Sequence, residues 1–259
     1  MPFRTDDGRP LDELLLAQRP SDGYRFEVRA GFVYEDPVSG RRYRVPPRPA
    51  DAPDPAPGVP EPRMHGVTDL ASVPMWLWSF IASYGRQSAP AALHDERSVD
   101  AAELGDSRAA LTQRREDDRV FRTALREQRV PLLRAWLMWG WVSADREREF
   151  GGAAGLVFMV QAIVGALVVV GASVVAFWQP TWLLVTLVPA LTAVPWGRRA
   201  PLMLLLNYSS AVLAPLIGLH VVSILPFRLV EALVELLSGG DPAGVWRPTL
   251  RPASERPQS

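Results

Sequence analysis

Three carboxylates and one imidazole are the residues in this chain whose types and spacing allow chemistry: His94 and Asp95 side by side, Asp118 further on, and Asp69 before them. A histidine held by a buried carboxylate is an oriented general base, and a second carboxylate beside it is free for substrate or metal. Successive residues of a helix point about 100° apart, so Asp95 cannot hold His94 and serves a different neighbour. Asp118 lies on the same helical stripe as Leu111, Phe121 and Leu125, the face that packs inward. A carboxylate there must be paired or protonated. His94 is the partner that would make a catalytic dyad. Arg114 and Arg115 are the structural alternative, in helix-type pairs worth only about 0.2–0.5 kcal/mol. His65 follows a proline-rich stretch and is expected to be exposed.

Other chemistries are excluded by composition. The chain has no cysteine, which removes thiolate catalysis, thiolate metal sites and disulfides, and it has no lysine, which removes the phosphate-binding loop of the Gly-x-x-x-x-Gly-Lys type. Neither Gly-x-Ser-x-Gly nor His-Glu-x-x-His occurs. With 28 basic against 28 acidic residues, bulk charge gives no reason to expect a nucleic-acid partner. All the basic side chains are arginine, which with abundant Ala and Pro reads as the coding bias of a high-GC bacterium.

The elements that must position these groups read as α+β: a small amino-terminal sheet with a hairpin and about four helices, followed by a helical membrane region of two to three spans. After an amino-terminal segment (1–20), the soluble domain covers 21–148. Tyr24, Phe26 and Val28 alternate with charged residues, and the alternation resumes at Phe32–Tyr34 and Tyr43–Val45. Asp36-Pro37-Val38-Ser39-Gly40 supplies a turn, so 32–46 should be a hairpin. Residues 46–62 hold eight prolines and read as a disordered insertion. Helices are expected over about 72–85 with Met75, Trp76, Trp78 and Phe80, from Ser88 through His94, over 106–128, and over 131–146. The last carries Trp136, Trp139 and Trp141, either packed in the core or resting at a bilayer surface.

From Gly151 to Phe227 the only charged residues are Arg198 and Arg199. This membrane region (153–227) divides into runs at about 153–177, 181–196 and 200–227. The first, 25 residues long, would reach about 37 Å as a helix against a hydrocarbon core of about 30 Å. The second holds Pro189 and Pro195, and the third either spans or re-enters. Asn207 and His220 interrupt the third run and read as hydrogen-bonding to neighbouring helices. A segment at 228–259 combines a short interfacial helix with a disordered tail. Arg134, Arg146 and Arg148 before the first run, and Arg198 and Arg199 after the second, place the amino-terminal side in the cytoplasm. Met1–Leu16 does not read as a secretory signal. The expected location is the plasma membrane, multi-pass, with the bilayer as partner.

Val45-Pro46, Gly66-Val67-Thr68-Asp69-Leu70-Ala71-Ser72-Val73-Pro74, Tyr84-Gly85-Arg86, Ala91-Ala92-Leu93-His94-Asp95 and Arg115-Glu116-Asp117-Asp118-Arg119-Val120-Phe121 together resemble a bacterial and phage family, domain of unknown function 1353 (DUF1353). The resemblance runs from about Tyr24 to Val142 and leaves out the membrane half. After its His-Asp the family usually has aromatic residues, where this chain has Glu96-Arg97-Ser98. The His-Asp followed by an Asp-bearing helix resembles in turn the phospholipase A2 arrangement. That resemblance implies His94 as base, Asp118 as its orienting acid, Asp95 with Asp69 as calcium ligands, and phospholipid as substrate. The expectation from all of this is a membrane-anchored protein with a cytoplasmic DUF1353-type domain acting as a non-catalytic interaction module of unknown protein partner. The alternative is a calcium-dependent, phospholipase A2-like hydrolase.

Overall fold

The structure is a computed structural model, and it describes residues 2–18, 25–49, 52, 64–70, 81–82 and 84–246. Tyr24, most of the helix expected over 72–85, most of the proline-rich stretch and the end of the tail lie outside these. The described chain forms two units. One comprises residues 1–103, 123–130 and 221–259, the other residues 104–122 and 131–220.

The first unit holds two three-stranded antiparallel sheets. In one, β1 (Phe3–Thr5) and β5 (Arg42–Val45) flank β4 (Phe32–Glu35). Phe3 stands opposite Tyr34, and Phe32 opposite Val45, so one face gathers Phe3, Phe32, Tyr34, Tyr43 and Val45 in the interior. This is the expected hairpin. Its turn is fixed by buried Asp36, whose carboxylate accepts the Ser39 N–H at 3.0 Å, and by Gly40 at φ 68°. In the second sheet, β3 (Phe26–Val28) lies between β2 (Leu16–Gln18) and β6 (Val67–Thr68). The strands β1, β2 and β6 have two or three residues each, too few to show an alternation.

Helix α1 (Ser88–Glu103) packs on β5 and β6. Its start is tied by the Gly85 N–H to Ser88 Oγ at 3.0 Å. Helix α2 (Ser107–Glu127) begins at an Asp106 cap, with the Ala109 N–H donating to Oδ2 at 2.9 Å. It ends before Arg129, which takes a left-handed φ of 59°. In the first unit, Tyr34 donates to Glu127 in its last turn at 2.6 Å.

In the second unit, α3 (Leu132–Phe150) runs four residues past the expected end, and α4 (Gly152–Val175) follows after a single residue. The corner is possible because of its glycines. Gly152 sits at φ 54°, and a Cβ on Gly155 would stand 2.0 Å from the Glu147 carbonyl oxygen.

Residues 180–199 alternate between helix types: a 3-10 helix Pro180–Leu187, α5 (Val188–Ala193) and a second 3-10 helix Val194–Arg199. The joining residues Leu187, Val188, Ala193 and Val194 all keep right-handed helical angles, and the break comes at Gly197 (φ 55°, ψ −116°). Pro189 and Pro195 stand in the first turns of α5 and of the second 3-10 helix, where a missing N–H costs no intrahelical bond. A 3-10 rise of about 2.0 Å per residue gives this short run a reach of roughly 30 Å, more than an α-helix of equal length.

Helix α6 (Ala200–Ser238) is continuous for 39 residues and absorbs both the third apolar run and the expected interfacial helix. Arg228 and Glu231 pair on its surface at 2.8 Å, so the first charges after the apolar run are accommodated without a break. Helix α7 (Pro242–Trp246) ends the described chain.

Helix α4 and the helical stretch Pro180–Ser238 are long and apolar enough to cross a membrane. Their apolar side chains are mostly exposed: Leu156, Val160, Ile163, Leu167, Leu191, Leu216 and Leu219 among them. A soluble protein's core helix would bury such residues. What is buried here is narrow. Phe158, Ala162, Ala193, Leu202, Met203 and Leu206 form the apolar cluster, with Trp196 packed edge-on to Phe158 at 5.0 Å. Polar side chains join the segments: Gln161 bonds Trp196 Nε1 and the Thr192 carbonyl at 2.9 and 2.7 Å, and Tyr208 donates to the Thr186 carbonyl at 2.8 Å. Asn207, read from sequence as bonding to a neighbouring helix, is fully buried, with Nδ2 3.5 Å from the Pro189 carbonyl.

Candidate functional site

Of the residues expected to act, His94 and Asp95 are on α1, Asp69 follows β6, and all three belong to the first unit. Asp118 is on α2 in the second. His94 is buried, and Ser98 Oγ donates to its backbone carbonyl at 2.7 Å. Asp95 serves a different neighbour, as its position on the helix requires: Thr68 Oγ1 donates to its Oδ2 at 2.5 Å. The same hydroxyl accepts the Leu70 N–H at 2.8 Å, holding Leu70 at φ 60° beside Asp69. The Thr-Asp and His-Asp strings are therefore joined through Thr68 and Asp95. Calcium needs six to eight oxygen ligands. Among the described residues, Asp69 and Asp95 join no group of three metal-ligating side chains.

Asp118 is fully buried, as its place on the apolar stripe demands, beside Val120, Phe121, Ala124 and Leu125 in the α2 sequence. Arg146 Nη1 donates to Asp118 Oδ2, and Ser143 Oγ donates to the same oxygen at 3.1 Å, both from α3. Arg146, counted by sequence among the positive charges flanking the membrane, is buried instead. It also donates to Glu147 Oε1 at 2.9 Å, while Arg199 donates to Glu147 Oε2 at 2.9 Å. Arg115 reaches Glu147 at 4.0 Å. Two buried carboxylates are thus met by arginines from α3 and from the turn before α6. Bidentate-capable guanidinium groups suit this task, since they remain charged when desolvated.

A second polar centre was not legible. His65, expected to be exposed, is 40% exposed and lies between two carboxylates of α1. Nδ1 is 2.5 Å from Glu96 Oε1, and Nε2 is 3.0 Å from Glu103 Oε1. Glu96 is buried, and its Oε2 accepts the Gly66 N–H at 2.9 Å. Burial works against the imidazolium, but hydrogen bonds and charge from Glu96, then Glu103, outweigh it and raise the His65 pKa above its ordinary value. The sequence did hold one signal. Glu96, Asp100 and Glu103 recur at helical spacing, and Glu96 stands where the resembled family has an aromatic residue.

The tryptophans of α3 are partly packed. Trp136 and Trp139 meet edge to face at 5.2 Å with Arg122 over both rings at 4.3 and 4.9 Å, while Trp141 is exposed.

The motif residues Gly66 to Asp69, His94-Asp95 and Asp118 all fall inside one matched region. Residues 63–142 match the family described as Protein of unknown function (DUF1353). The DUF1353 region starts later than Tyr24, so the strands before His65 lie outside it, as does the whole apolar half. It contains α1, α2 and the first half of α3, and excludes Ser143, Arg146 and Glu147. No curated protein and no solved structure matches this chain.

Proposed function

We propose that this is a membrane-anchored protein whose DUF1353 region faces the cytoplasm and serves as a non-catalytic interaction module. The observation that carries the reading is the state of Asp118. Its Oδ2 takes the permanent charge of Arg146 and the hydroxyl of Ser143, which are the bonds of a structural ion pair. Asp95 likewise takes a hydroxyl from Thr68. Both are the bonds of a polar framework that fixes packing.

Anchoring is supported by the exposed apolar surfaces of α4 and the 180–238 stretch, since such area is stable in lipid and costly in water. Orientation is supported by arginine placement and by the Arg199–Glu147 pair, which brings the end of the second run back to the beginning of the first. The chain lacks cysteine, so single introduced cysteines report orientation directly. A cysteine at Gln179 should be labelled by an impermeant maleimide from outside intact cells, and one at Arg198 only after permeabilisation.

The competing reading is lipid hydrolysis by His94 and Asp118 with calcium at Asp95 and Asp69. Its test is release of lysolipid and fatty acid from phospholipid vesicles by the reconstituted full chain, with and without calcium. The module reading expects no product above a protein-free control. Calcium-dependent product that disappears in His94→Ala would overturn it.

A further inference from the structure

We propose that His65, Asp100 and Glu103 form a binding site for a divalent transition-metal ion of the zinc class, with Glu96 as the carboxylate that positions the imidazole. The three side chains each bring one ligand atom to within 4.8 Å of the others. His65 Nε2 and Glu103 Oε1 are 3.0 Å apart. Zinc bonds of about 2.0–2.2 Å set neighbouring tetrahedral ligands roughly 3.3–3.6 Å apart, a spacing that small side-chain rotations reach. An ion of this kind sits between Nε2 and the two carboxylates. An imidazole ligand favours zinc and its first-row neighbours over magnesium or calcium, which prefer oxygen alone.

The surroundings are those of a prepared ligand. A metal-binding imidazole characteristically gives its other nitrogen to a carboxylate, which fixes the ring and the free nitrogen. Glu96 does this from a buried position, with its second oxygen held by the Gly66 N–H at 2.9 Å. The backbone carrying His65 is equally fixed. Gly66 has φ 69°, a Cβ there would meet the Arg48 nitrogen at 2.5 Å, and its carbonyl accepts the Val28 N–H at 2.8 Å. Glu96, Asp100 and Glu103 project from neighbouring turns of α1 toward one side.

Asp100 has a cation already, because Arg97 Nη1 pairs with its Oδ2. That guanidinium also lies 5.2 Å from the centre of the Tyr43 ring, so it has a resting place when an ion takes Asp100. The three proposed protein ligands leave a coordination position for water. The site is separate from Asp69 and Asp95, and its existence does not depend on whether the DUF1353 region is catalytic.

An imidazolium between Glu96 and Glu103 would make the same two hydrogen bonds with no metal, and experiment separates the two. Cobalt(II) added to the full chain in detergent should give visible absorption saturating at one equivalent, displaced by zinc but not by equal calcium. His65→Ala should abolish the bands, and His220→Ala should leave them intact. Glu96→Gln should weaken binding by about 10–100-fold, because it loosens the ring without removing a ligand. Arg97→Gln should tighten it by freeing Asp100. Circular dichroism confirms that each variant is folded, and Glu103→Gln, at an exposed position, provides a ligand loss that leaves the core untouched. Absence of one-equivalent absorption in the wild type, bands surviving in both His65→Ala and Glu103→Gln, or equal displacement by calcium would overturn the proposal.

Discussion

The carboxylates of α1 and those of α2 and α3 are held in opposite ways. Around His65, Glu96 and Glu103 converge on one imidazole, and Asp100 shares the site with an arginine that has a second seat on Tyr43. In the other cluster, Asp118 and Glu147 are fully buried and bound by Arg146 and Arg199, whose charge is permanent. The difference shows what solvent exposure permits. A desolvated carboxylate is stable only with its cation always in place, whereas a half-exposed one can exchange partners. The buried arrangement suits a scaffold and the half-exposed one a binding site, even though both are built from carboxylates on helices.

The largest test attacks the buried side. Replacing Asp118 by Leu strands part of the Arg146 charge and should cost about 3–5 kcal/mol, read as a fall in the melting temperature of the full chain in detergent. Adding Arg146→Met to that variant should recover much of the loss. If Asp118→Leu alone melts like the wild type, the pair is not structural and the contrast collapses. Gly155→Ala should cost about 1–3 kcal/mol, because its methyl would press on the Glu147 carbonyl and shift the residue that Arg146 and Arg199 hold. An unchanged melting temperature would mean that the corner yields freely.

Two smaller effects sharpen the exposed side. The Arg44 hydrogen bond, opposed by slight burial and aided by its charge, lowers the Asp6 pKa below the ordinary carboxylate value. Its stabilisation should be present above the unfolded pKa and lost as pH falls through the lowered folded one. Because Asp6 is 41% exposed and screened by solvent, the contribution should be at most about 1 kcal/mol. Asp6→Asn should remove that part of the acid dependence, and urea unfolding at two pH values, above and below this window, measures it. Least of all, Glu103→Gln should change stability by less than about 0.5 kcal/mol in the metal-free protein, since Glu103 is 63% exposed. A loss comparable to that of Asp118→Leu would place Glu103 in the framework instead.

The legible parts of the molecule were those set by local repetition. The 32–46 hairpin announced itself through alternation and its Asp-to-Gly turn, and α1, α2 and α3 through apolar spacing and caps. Asp118 was legible as buried because burial follows from helical phase. Its partner was not, since nothing local links Arg146 to it across two helices, and an arginine near a membrane reads naturally as a surface charge. The partners of His65 were hidden for the same reason: Glu96 and Glu103 are visible as a stripe, but the imidazole they hold comes from a loop before β6. The continuity of α6 through Arg228 was hidden because a charged residue after an apolar run marks a bilayer boundary, which need not be a helix boundary. Most of the expected helix over 72–85 lies outside the described residues.

The corner between α3 and α4 bears on biosynthesis. Glu147 is enclosed by its own helix, by the start of α4 and by Arg199, so the group that completes its neutralisation leaves the ribosome 52 residues after Glu147 itself. Until then a nascent chain carries an incompletely compensated carboxylate at the mouth of its first apolar helix. A soluble fragment cut at the end of the matched region would lose Ser143, Arg146 and Glu147 together, leaving Asp118 desolvated without these donors. Expression trials should therefore keep the chain through at least Arg199, treating the apolar helices as part of the template on which the polar cluster matures.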